Sequence, residues 1–508
     1  MFDHLQTSFS TSEVIGAVLV LFIAYQIFRK LYVDARLRKL GGRAPIRRSY
    51  WPYGLDLAYE LITHSLADKN YDLWVNMFAK WSPTQWTLEA GVGERVVLTA
   101  EPENVKAILA TQFKDFGKGE AFHRDWYQFL GNGIFAVDGH LWHNSRQLIR
   151  PQFVKDRVSD LNIFEEHVQI LLQRMSASPE VDMMDLFFRY TLDAATHFLL
   201  GKSVDSLRQT QTVFADAFAT VQHVQGLIAR LGPLNWAVPR KRMGFYDSLK
   251  IINDFVDAYI DKALALSPQE LEEKTNHDEG YTFLHAIAAY TRDRQMLRDQ
   301  LVSILLAGRD TTACTLAWAL YELSLQPALV EKLRQEIIAK VGLDRTPTYQ
   351  DLKDMKYLQH TLNETLRLYP VVPYNVRFAL KDTTLPVGGG PDGQQPVAVL
   401  KGTPIGYSTL VMQRRADLYP PPESGFPAVD KFVPERWDHW TPKTWTYVPF
   451  NGGPRICIGQ NFALTEMGYT LVRLLQKFER VDNKMDGSPG LHADVVLQPG
   501  KKVNLAFS

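Results

Sequence analysis

A glycine-rich loop with a single cysteine, residues 450–459 (FNGGPRICIG), constrains the fold more than any other stretch of this sequence. Its glycines allow positive φ angles and a close approach of the backbone to a flat or bulky group. Arg455, the loop amides and the amphipathic helix predicted after the loop would each stabilise a thiolate at Cys457. A zinc site needs three or four Cys or His ligands, and the other cysteine, Cys314, is distant in the sequence. Cys457 is therefore either a small buried hydrophobic residue or a single axial ligand to a heme iron.

Five residues of the loop have the spacing Phe-x-x-Gly-x-Arg-x-Cys-x-Gly, which resembles the heme-binding signature of the cytochrome P450 superfamily. They are Phe450, Gly453, Arg455, Cys457 and Gly459. The resemblance implies that Cys457 is the axial thiolate ligand of the iron in heme b. It also implies that Phe450, Arg455 and Gly459 contact this cofactor.

A long helix is predicted over Arg294–Leu325, and its middle contains the sequence AGRDTT. Glycine, aspartate and threonine are poor choices for the centre of a buried helix, and such a broken rule indicates either an accidental kink or a functional site. The segment resembles the oxygen-activation motif of the same family. By that resemblance, Asp310 and Thr311 would deliver protons. Ala307 and Gly308 would leave room above the heme for oxygen and substrate.

Three further residues match positions that bind the heme propionates in this family. Trp142 and Arg146 are four residues apart and share a helix face, a pattern that is otherwise typical of a stacked surface pair. A guanidinium group pairs well with a carboxylate, and an indole N–H is a donor only. The third residue is Arg377, just before a predicted hairpin.

Glu364 and Arg367 are three residues apart in a predicted helix over residues 358–368, where they can pair. An exposed pair of this kind contributes less than about 1 kcal/mol. With Arg436 in the downstream sequence FVPERW, however, they resemble the buried Glu-Arg-Arg network that supports the cysteine loop in the family. We therefore assign these three residues a structural role.

A β-hairpin is predicted over residues 383–407, with an extended turn at 388–393 (GGGPDG) and a return at 397–399. Val371 and Val372 match a strand that faces the substrate in the family. Their aliphatic side chains suit an apolar substrate, and they suit an ordinary core equally well.

An apolar run at residues 14–28 is followed by a strongly basic stretch that ends at Arg48. At about 1.5 Å per residue this run spans roughly 22 Å, so flanking residues are needed to cross a hydrocarbon layer of about 30 Å. Acidic residues before the run favour an uncleaved anchor over a signal peptide. We therefore predict a membrane anchor and basic hinge at 1–45 and a catalytic domain at 46–508 on the cytosolic side of the endoplasmic reticulum membrane. The basic stretch is alternatively a solvated linker, and the apolar loop at 232–239 is either core or a second membrane contact.

Composition adds limits to these expectations. A chain of 508 residues with 46% hydrophobic content can bury a large core. A net formal charge of zero gives no indication of a nucleic-acid partner. Two cysteines imply no disulfide framework, and a thiolate ligand favours a reducing compartment. The resemblance implies a mostly α fold with small β-sheets, in which the heme lies between the long central helix and the cysteine loop.

The resemblance implies a monooxygenase that inserts one oxygen atom from O₂ into a C–H bond, with the thiolate favouring O–O cleavage. The sequence contains no glycine-rich dinucleotide fingerprint, so electrons are expected from a separate NADPH-cytochrome P450 reductase. The segments ATQFKDF (110–116), DG (138–139), RPQF (150–153) and LPVGGGPDG (385–393) resemble the fungal n-alkane and fatty-acid ω-hydroxylase branch. The hypothesis is terminal hydroxylation of a long aliphatic chain, a hydrophobic small molecule.

Two alternatives stay open at this point. A tailoring oxidase acting on the alkyl chain of a polyketide or another secondary metabolite would share the sequences of this branch. A heme-thiolate isomerase or dehydratase that does not use O₂ belongs to another class, and the intact Asp310-Thr311 pair speaks against it. Some animal relatives carry a glutamate bonded to heme at the position of Ala307, so we predict here a heme that solvent extraction removes.

Overall fold

Helices make up most of the computed structural model, which describes residues 11–153, 161–209, 213–276 and 282–508. In chain order the α-helices of the described residues are α1 Thr11–Leu40, α2 Leu55–Leu66, α3 Asn70–Trp81, α4 Pro102–Lys106, α5 Gly119–Leu130, α6 Gly139–Ile149, α7 Asn162–Ser176, α8 Met183–Leu200, α9 Val213–Leu231, α10 Phe245–Ala265, α11 Pro268–Asn276, α12 Phe283–Tyr290, α13 Arg294–Leu325, α14 Pro327–Lys340, α15 Tyr349–Asp354, α16 Lys356–Leu368, α17 Thr409–Met412 and α18 Gln460–Lys477. The fold class predicted from the sequence, mostly α with small β-sheets, is confirmed.

The strands of the described residues form four small sheets. They are β1 Thr87–Ala90, β2 Val96–Thr99, β3 Phe116–Gly117, β4 Val181–Asp182, β5 Tyr374–Ala379, β6 Thr383–Gly389, β7 Gln395–Val399, β8 Pro404–Ser408, β9 Val481–Asn483, β10 Leu491–Ala493, β11 Leu497–Pro499 and β12 Asn504–Phe507. The largest sheet has the order β1-β2-β8-β5-β3, in which β2 and β8 are parallel and the other neighbours antiparallel. The smaller sheets are β4-β12-β9, β10-β11 and β6-β7.

The predicted hairpin ends earlier than the sequence pattern indicates. Strands β6 and β7 pair as predicted, from Thr383 opposite Val399 to Gly389 opposite Gln395. Strand β8, however, lies between β2 and β5 in the five-stranded sheet. A turn separates β7 from β8, and Gly402 takes a φ of 83° in it, which a residue with a Cβ rarely adopts.

Val371 and Val372 lie outside the strands of the described residues, although the resemblance predicts a strand there. Strand β5 begins only at Tyr374. The flanking prolines lack an N–H group, so this segment cannot form a continuous ladder. Its carbonyl groups have other donors: the backbone N–H of Leu497 bonds Val371 (2.9 Å), and the hydroxyl of Thr409 bonds Val372 (2.8 Å).

Helix α13 is the central element, and it has the bounds that the sequence predicts. Its N-cap, Asp293, accepts hydrogen bonds from two backbone N–H groups of the first turn. Helices α8, α10 and α18 all pack against it. Leu301 and Leu305 belong to one apolar cluster, while Trp318 and Leu320 belong to another. The helix therefore connects two large apolar clusters of the core.

Helix α1 extends the predicted apolar run in both directions. Within the described residues, Val14–Leu40 is the one helical segment long and apolar enough to cross a membrane, and its apolar window is not buried. The C-terminal end contacts the rest of the protein, since Leu37 is fully buried and Arg36 pairs with Asp382. Basic residues up to Lys39 therefore belong to the helix.

Within the polar segment predicted at residues 267–280, the described residues include a helix. The sequence predicts a solvated connector, whereas α11 occupies Pro268–Asn276. Glu270 accepts a hydrogen bond from the backbone N–H of Ser267 (2.7 Å), which is typical of a helix N-terminus. The last four residues of the predicted connector lie outside the described residues.

Candidate active site

Two positions of the cysteine loop require glycine, because neighbouring atoms leave no room for a Cβ there. A Cβ at Gly453, where φ is 63°, would lie 1.9 Å from the carbonyl oxygen of Leu109. A Cβ at Gly452 would lie 2.5 Å from the ring of Trp445. At Gly459 the φ of −83° is ordinary, and a Cβ would make only van der Waals contact. The backbone of this loop therefore approaches other protein atoms closely at Gly452 and Gly453.

The sulfur of Cys457 lies in a loop held by the backbone, because the Cys457 N–H donates to the carbonyl of Phe450 (3.0 Å). The side chain is accessible, although protein atoms surround it on most sides. Burial raises the pKa of the Cys457 thiol, whereas the N–H of Gly459 and the charge of Arg146 act in the opposite direction. Burial has the larger effect. A metal cation bound to the sulfur would favour the thiolate.

Glu364, Arg367 and Arg436 form a network whose side chains are all fully buried. Glu364 accepts two hydrogen bonds from Arg367 (2.8 and 2.9 Å) and one from Arg436 (2.8 Å). The indole N–H of Trp437 and the backbone N–H of Val433 donate to the same carboxylate (3.0 and 2.9 Å). Both arginines also donate to backbone carbonyls between residues 427 and 431. The structure thus joins α16 to the segment that precedes the cysteine loop.

One face of α13 is accessible although most of the helix is buried. Ile304, Ala307, Gly308 and Thr311 are partly exposed, and they recur at the three- and four-residue spacing of one helix face. Thr311 donates its hydroxyl hydrogen to the carbonyl of Ala307 (2.7 Å). This face carries three small or aliphatic residues and one hydroxyl group.

Helix α18, which follows the cysteine loop, packs against α13 beside this face. Thr312, next to Thr311, donates a hydrogen bond to Glu466 of α18. Glu466 is fully enclosed, and burial raises its pKa to about 8. Ile458 and Ile304 border the same apolar cluster. Helix α18, which begins directly after the cysteine loop, is therefore joined to α13 next to the accessible face.

Asp310 points away from Thr311, toward α9. Its carboxylate accepts hydrogen bonds from the side-chain amide of Gln222 and from Arg309 (3.1 Å). Burial raises the pKa of Asp310 despite the charge of Arg309. The guanidinium of Arg309 stacks on Phe188 at 4.7 Å, and its Nε is buried with no partner in the described residues. The predicted acid and alcohol are thus adjacent in sequence but not in hydrogen-bond contact.

Cationic side chains converge beside the cysteine loop from three separate segments: Lys118 before α5, Arg377 on β5 and Arg455 in the loop. Burial, Arg377 and Arg455 together lower the pKa of Lys118 well below its ordinary value. Burial and Arg377 lower the pKa of Arg455 to about 10. Asp138, which accepts from Arg455 (2.6 Å), offsets part of this charge. Three cations beside one carboxylate suit a ligand with its own negative charges.

Trp142 and Arg146 lie next to these cations on α6. Arg455 lies 4.7 Å and Arg146 5.9 Å from the ring centre of the buried Trp142. Arg146 donates to the carbonyl of Ile456, beside the cysteine (3.0 Å). Arg377 donates to the side chain of Asn375 (2.8 Å), and the Nε of Arg455 is buried with no partner among the described residues. The predicted propionate-binding residues therefore form one group.

A family model described as Cytochrome P450 matches residues 62–507. The chain belongs to the cytochrome P450 family. It is 48% identical to the cytochrome P450 monooxygenase pvhE of Talaromyces variabilis, over 97% of this chain and 94% of that protein. It is also 39% identical to cytochrome P450 52A13 of Debaryomyces hansenii (97% and 95%) and 44% identical to cytochrome P450 52A1 of Candida tropicalis (80% and 77%). The family predicted from the motifs is confirmed, and the chain is a P450 monooxygenase.

The residues of this P450 fit a heme on three independent grounds. Cys457 is a free cysteine with an accessible side chain that can bind a metal cation. The cations at Lys118, Arg377 and Arg455 match two acidic propionates, and the buried Nε of Arg455 has a hydrogen bond to give. The accessible face of α13 offers small side chains to the opposite side of a flat group. When bound, heme iron with its thiolate ligand supplies the oxygen chemistry of the family.

Sequence reasoning missed several polar residues of this site. Lys118 belongs to no motif, Asp138 belongs only to a segment that resembles the ω-hydroxylase branch, and Gln222 and Glu466 lie in ordinary helical patterns. Arg309 occupies the variable position of its motif. The one usable signal was a charged or amide residue inside an otherwise apolar helix face, which applies to Gln222 and Glu466.

Proposed function

We propose that this P450 inserts one oxygen atom from O₂ into a terminal C–H bond of a long aliphatic substrate, an n-alkane or a fatty acid. The proposal rests chiefly on the accessible face of α13, where Ile304, Ala307 and Gly308 offer hydrocarbon and backbone to a substrate above the cysteine loop. Such an apolar wall suits the hydrocarbon part of a substrate, because contact between the two leaves no polar group buried without a hydrogen-bond partner. Val371 and Val372, which precede β5, are proposed to line the same pocket.

Asp310 and Thr311 are proposed to manage protons at this face. Thr311 has its hydroxyl on the accessible side, where it holds a hydrogen bond to the carbonyl of Ala307. Asp310 is buried with a raised pKa, so a proton resides on it more readily than on an exposed carboxylate. To reach Thr311, the carboxylate must exchange its bonds to Gln222 and Arg309. These residues would therefore control when Asp310 transfers a proton.

The cations beside Cys457 are proposed to hold the heme propionates. Trp142, Arg146, Arg377 and Arg455 then have the roles that the family resemblance implies, and Lys118 joins them. Phe450 and Gly459 are proposed to contact the heme from the cysteine loop. The role proposed for Glu364, Arg367 and Arg436 is structural, because their bonds are all used within the protein.

Electrons are proposed to come from NADPH through a separate reductase, with the protein anchored in the endoplasmic reticulum membrane by α1. The apolar window of α1 is unburied, which supports insertion into lipid. Exposed aromatic side chains at Tyr50, Trp51 and Tyr53 follow this helix, as is usual near a membrane interface. Trp236, in the apolar loop after α9, is 78% exposed and would make a second contact with the membrane.

Product analysis tests the substrate class directly. Membranes that contain the protein and its reductase are incubated with dodecane or laurate, NADPH and O₂. We expect the ω-hydroxylated product, with O₂ consumed in proportion to it. Hydroxylation solely at inner carbons, or no product from either substrate, would refute terminal hydroxylation. Product formed without O₂ would instead indicate isomerase or dehydratase chemistry.

A tailoring oxidase for the alkyl chain of a polyketide or another secondary metabolite is the second candidate. It stays a candidate because the chain is more similar to pvhE (48% identity), a P450 monooxygenase outside the 52A group, than to the two yeast 52A proteins (39% and 44%). The same incubation with polyketide-like lipids separates the two functions, since turnover confined to those lipids would favour the second.

The alanine at position 307 leads to a further expectation about the cofactor. Ala307 has no group that forms a bond to heme, so the heme should be removed completely by acidified organic solvent. Heme that stays with the denatured chain would contradict this expectation.

A further inference from the structure

A second cluster of metal-binding residue types lies between α7 and α8, away from the cysteine loop. Glu166 and His167 are consecutive on α7, and His197 is near the C-terminal end of α8. The Nε2 atom of His167 lies 3.2 Å from Nδ1 of His197, which lies 3.7 Å from Oε2 of Glu166. One ligand atom from each residue lies within 4.8 Å of the others.

These separations suit a single transition-metal ion. Zinc ligands lie about 2.0–2.2 Å from the ion, so two ligands in a tetrahedral arrangement are roughly 3.3 Å apart. A hydrogen bond between the two imidazoles would explain only their 3.2 Å contact, because 3.7 Å is too long for a bond from His197 to Glu166. An ion between all three explains both distances. Two imidazoles with a carboxylate favour zinc over magnesium or calcium, which prefer ligand sets made of oxygen.

The exposure of the three residues favours coordination as well. His167 is 1% exposed, so its ring lies inside the protein. The side chains of His197 and Glu166 are 26% and 53% exposed, which gives an ion a path from solvent and leaves a position for water. Asp205 adds negative charge near His167, and Arg208, which pairs with Asp205 at 3.0 Å, opposes it.

We infer that Glu166, His167 and His197 form a zinc site that fixes α7 to α8. Helix α8 packs along α13, and Ala195 on it contacts the position of a Cβ at Gly308 (3.7 Å). An ion at His197, two residues farther along α8, would therefore restrain the helix that supports the accessible face of α13. The ion is structural, and no step of the oxygen chemistry requires it.

The test uses the full-length holoprotein in detergent, treated with a chelator that leaves the heme in place. Zinc chloride is then titrated by calorimetry, and bound zinc is counted against heme by elemental analysis. We expect one zinc ion per heme and an increase of about 2 °C or more in the apparent Tm at saturation. His197→Ala and Glu166→Gln, which change partly exposed side chains, should each weaken binding at least about tenfold and remove the Tm increase.

His223→Ala is the matched control, because His223 is an exposed histidine on α9 outside the cluster. It should bind zinc like the unmodified protein. Equal zinc affinity and stoichiometry in His197→Ala, Glu166→Gln and the unmodified protein would overturn the inference, as would the absence of any zinc binding at 100 μM. Loss of binding in both cluster variants with an unchanged heme spectrum would support it.

Discussion

Two buried arginine–carboxylate groups differ in how completely they are satisfied. In the first, Glu364 accepts from Arg367, Arg436, Trp437 and a backbone N–H, and the spare arginine N–H groups reach backbone carbonyls. In the second, around Asp310, the carboxylate has one amide and one guanidinium partner, and Arg309 keeps an unpaired Nε in the described residues.

The difference shows how one protein uses the same chemistry for support and for proton handling. Removing charges from water costs free energy, and only a complete set of partners compensates for it. Strong bonding to Glu364 raises the pKa of Arg367 although burial alone would lower it. At Asp310, by contrast, burial prevails and raises the pKa of the acid. Arg367 is thus held in its charged form, whereas Asp310 gains a proton more readily than an exposed acid does.

Glu364→Gln should have the largest effect on the protein. The amide keeps the size of the carboxylate but leaves Arg367 and Arg436 buried without a negative partner. We expect a loss of about 3–5 kcal/mol in the free energy of unfolding and little heme-loaded protein. The heme content per chain after purification measures this. Normal heme content would mean that the network does not support the cysteine loop.

Asp310→Asn should damage activity while the fold remains. The variant retains the size of the side chain but loses the titrating acid, so substrate oxidation should fall by about 10²–10⁴-fold. The measurements are the rate of product formation and the coupling, which is the amount of product formed per NADPH consumed. Heme content is measured beside them and should stay normal. If coupling is unchanged, Asp310 is not a proton donor, and the comparison between the two buried groups fails.

Glu466→Gln should change how stability depends on pH. The pKa of Glu466 is about 8 in the folded protein and 4.5 ordinarily, so the folded state retains a proton that the unfolded state releases between these values. Stability contributed by this proton is therefore lost as pH rises from 4.5 to 8, by about 4 kcal/mol. The apparent Tm of the variant should fall less between pH 5 and pH 8 than that of the unmodified protein. Parallel curves would contradict the buried, neutral state of Glu466.

Asp254→Asn should have the smallest effect, and it serves as the matched control for Asp310→Asn. Asp254 pairs with Lys250 on α10, and both side chains are largely exposed to water. Exposed pairs contribute less than about 1 kcal/mol, so heme content, coupling and Tm should all stay close to normal. A large effect here would show that the acid-to-amide change itself, rather than burial, causes the losses at Asp310.

The sequence predicts the elements with strong local signals. Helix α13 has the expected ends, because Asp293 caps its start and Pro327 begins the next helix. Glu364 and Arg367 meet because their spacing puts them on one helix face, and family motifs add Arg436. The glycines of the cysteine loop are also a strong local signal, because two of them, Gly452 and Gly453, have neighbours too close for a side chain.

The residues that sequence reasoning missed depend on contacts between distant segments. Lys118 meets Arg377 and Arg455 only because β3 pairs with β5 beside the cysteine loop. Asp310 finds Gln222 through a side-chain contact between α13 and α9, and no periodicity of either helix specifies that pair. Strand β8 leaves the predicted hairpin for the same kind of reason, since pairing with β2 and β5 overrides its position in the chain.

The most direct test of the whole account is the carbon-monoxide difference spectrum of the reduced protein, compared between the unmodified chain and Cys457→Ser. We predict the absorption band of thiolate-ligated heme in the unmodified protein and its loss in the variant, with heme still extractable from the unmodified protein. The same band in both proteins, or no bound heme in the unmodified chain, would contradict ligation by Cys457.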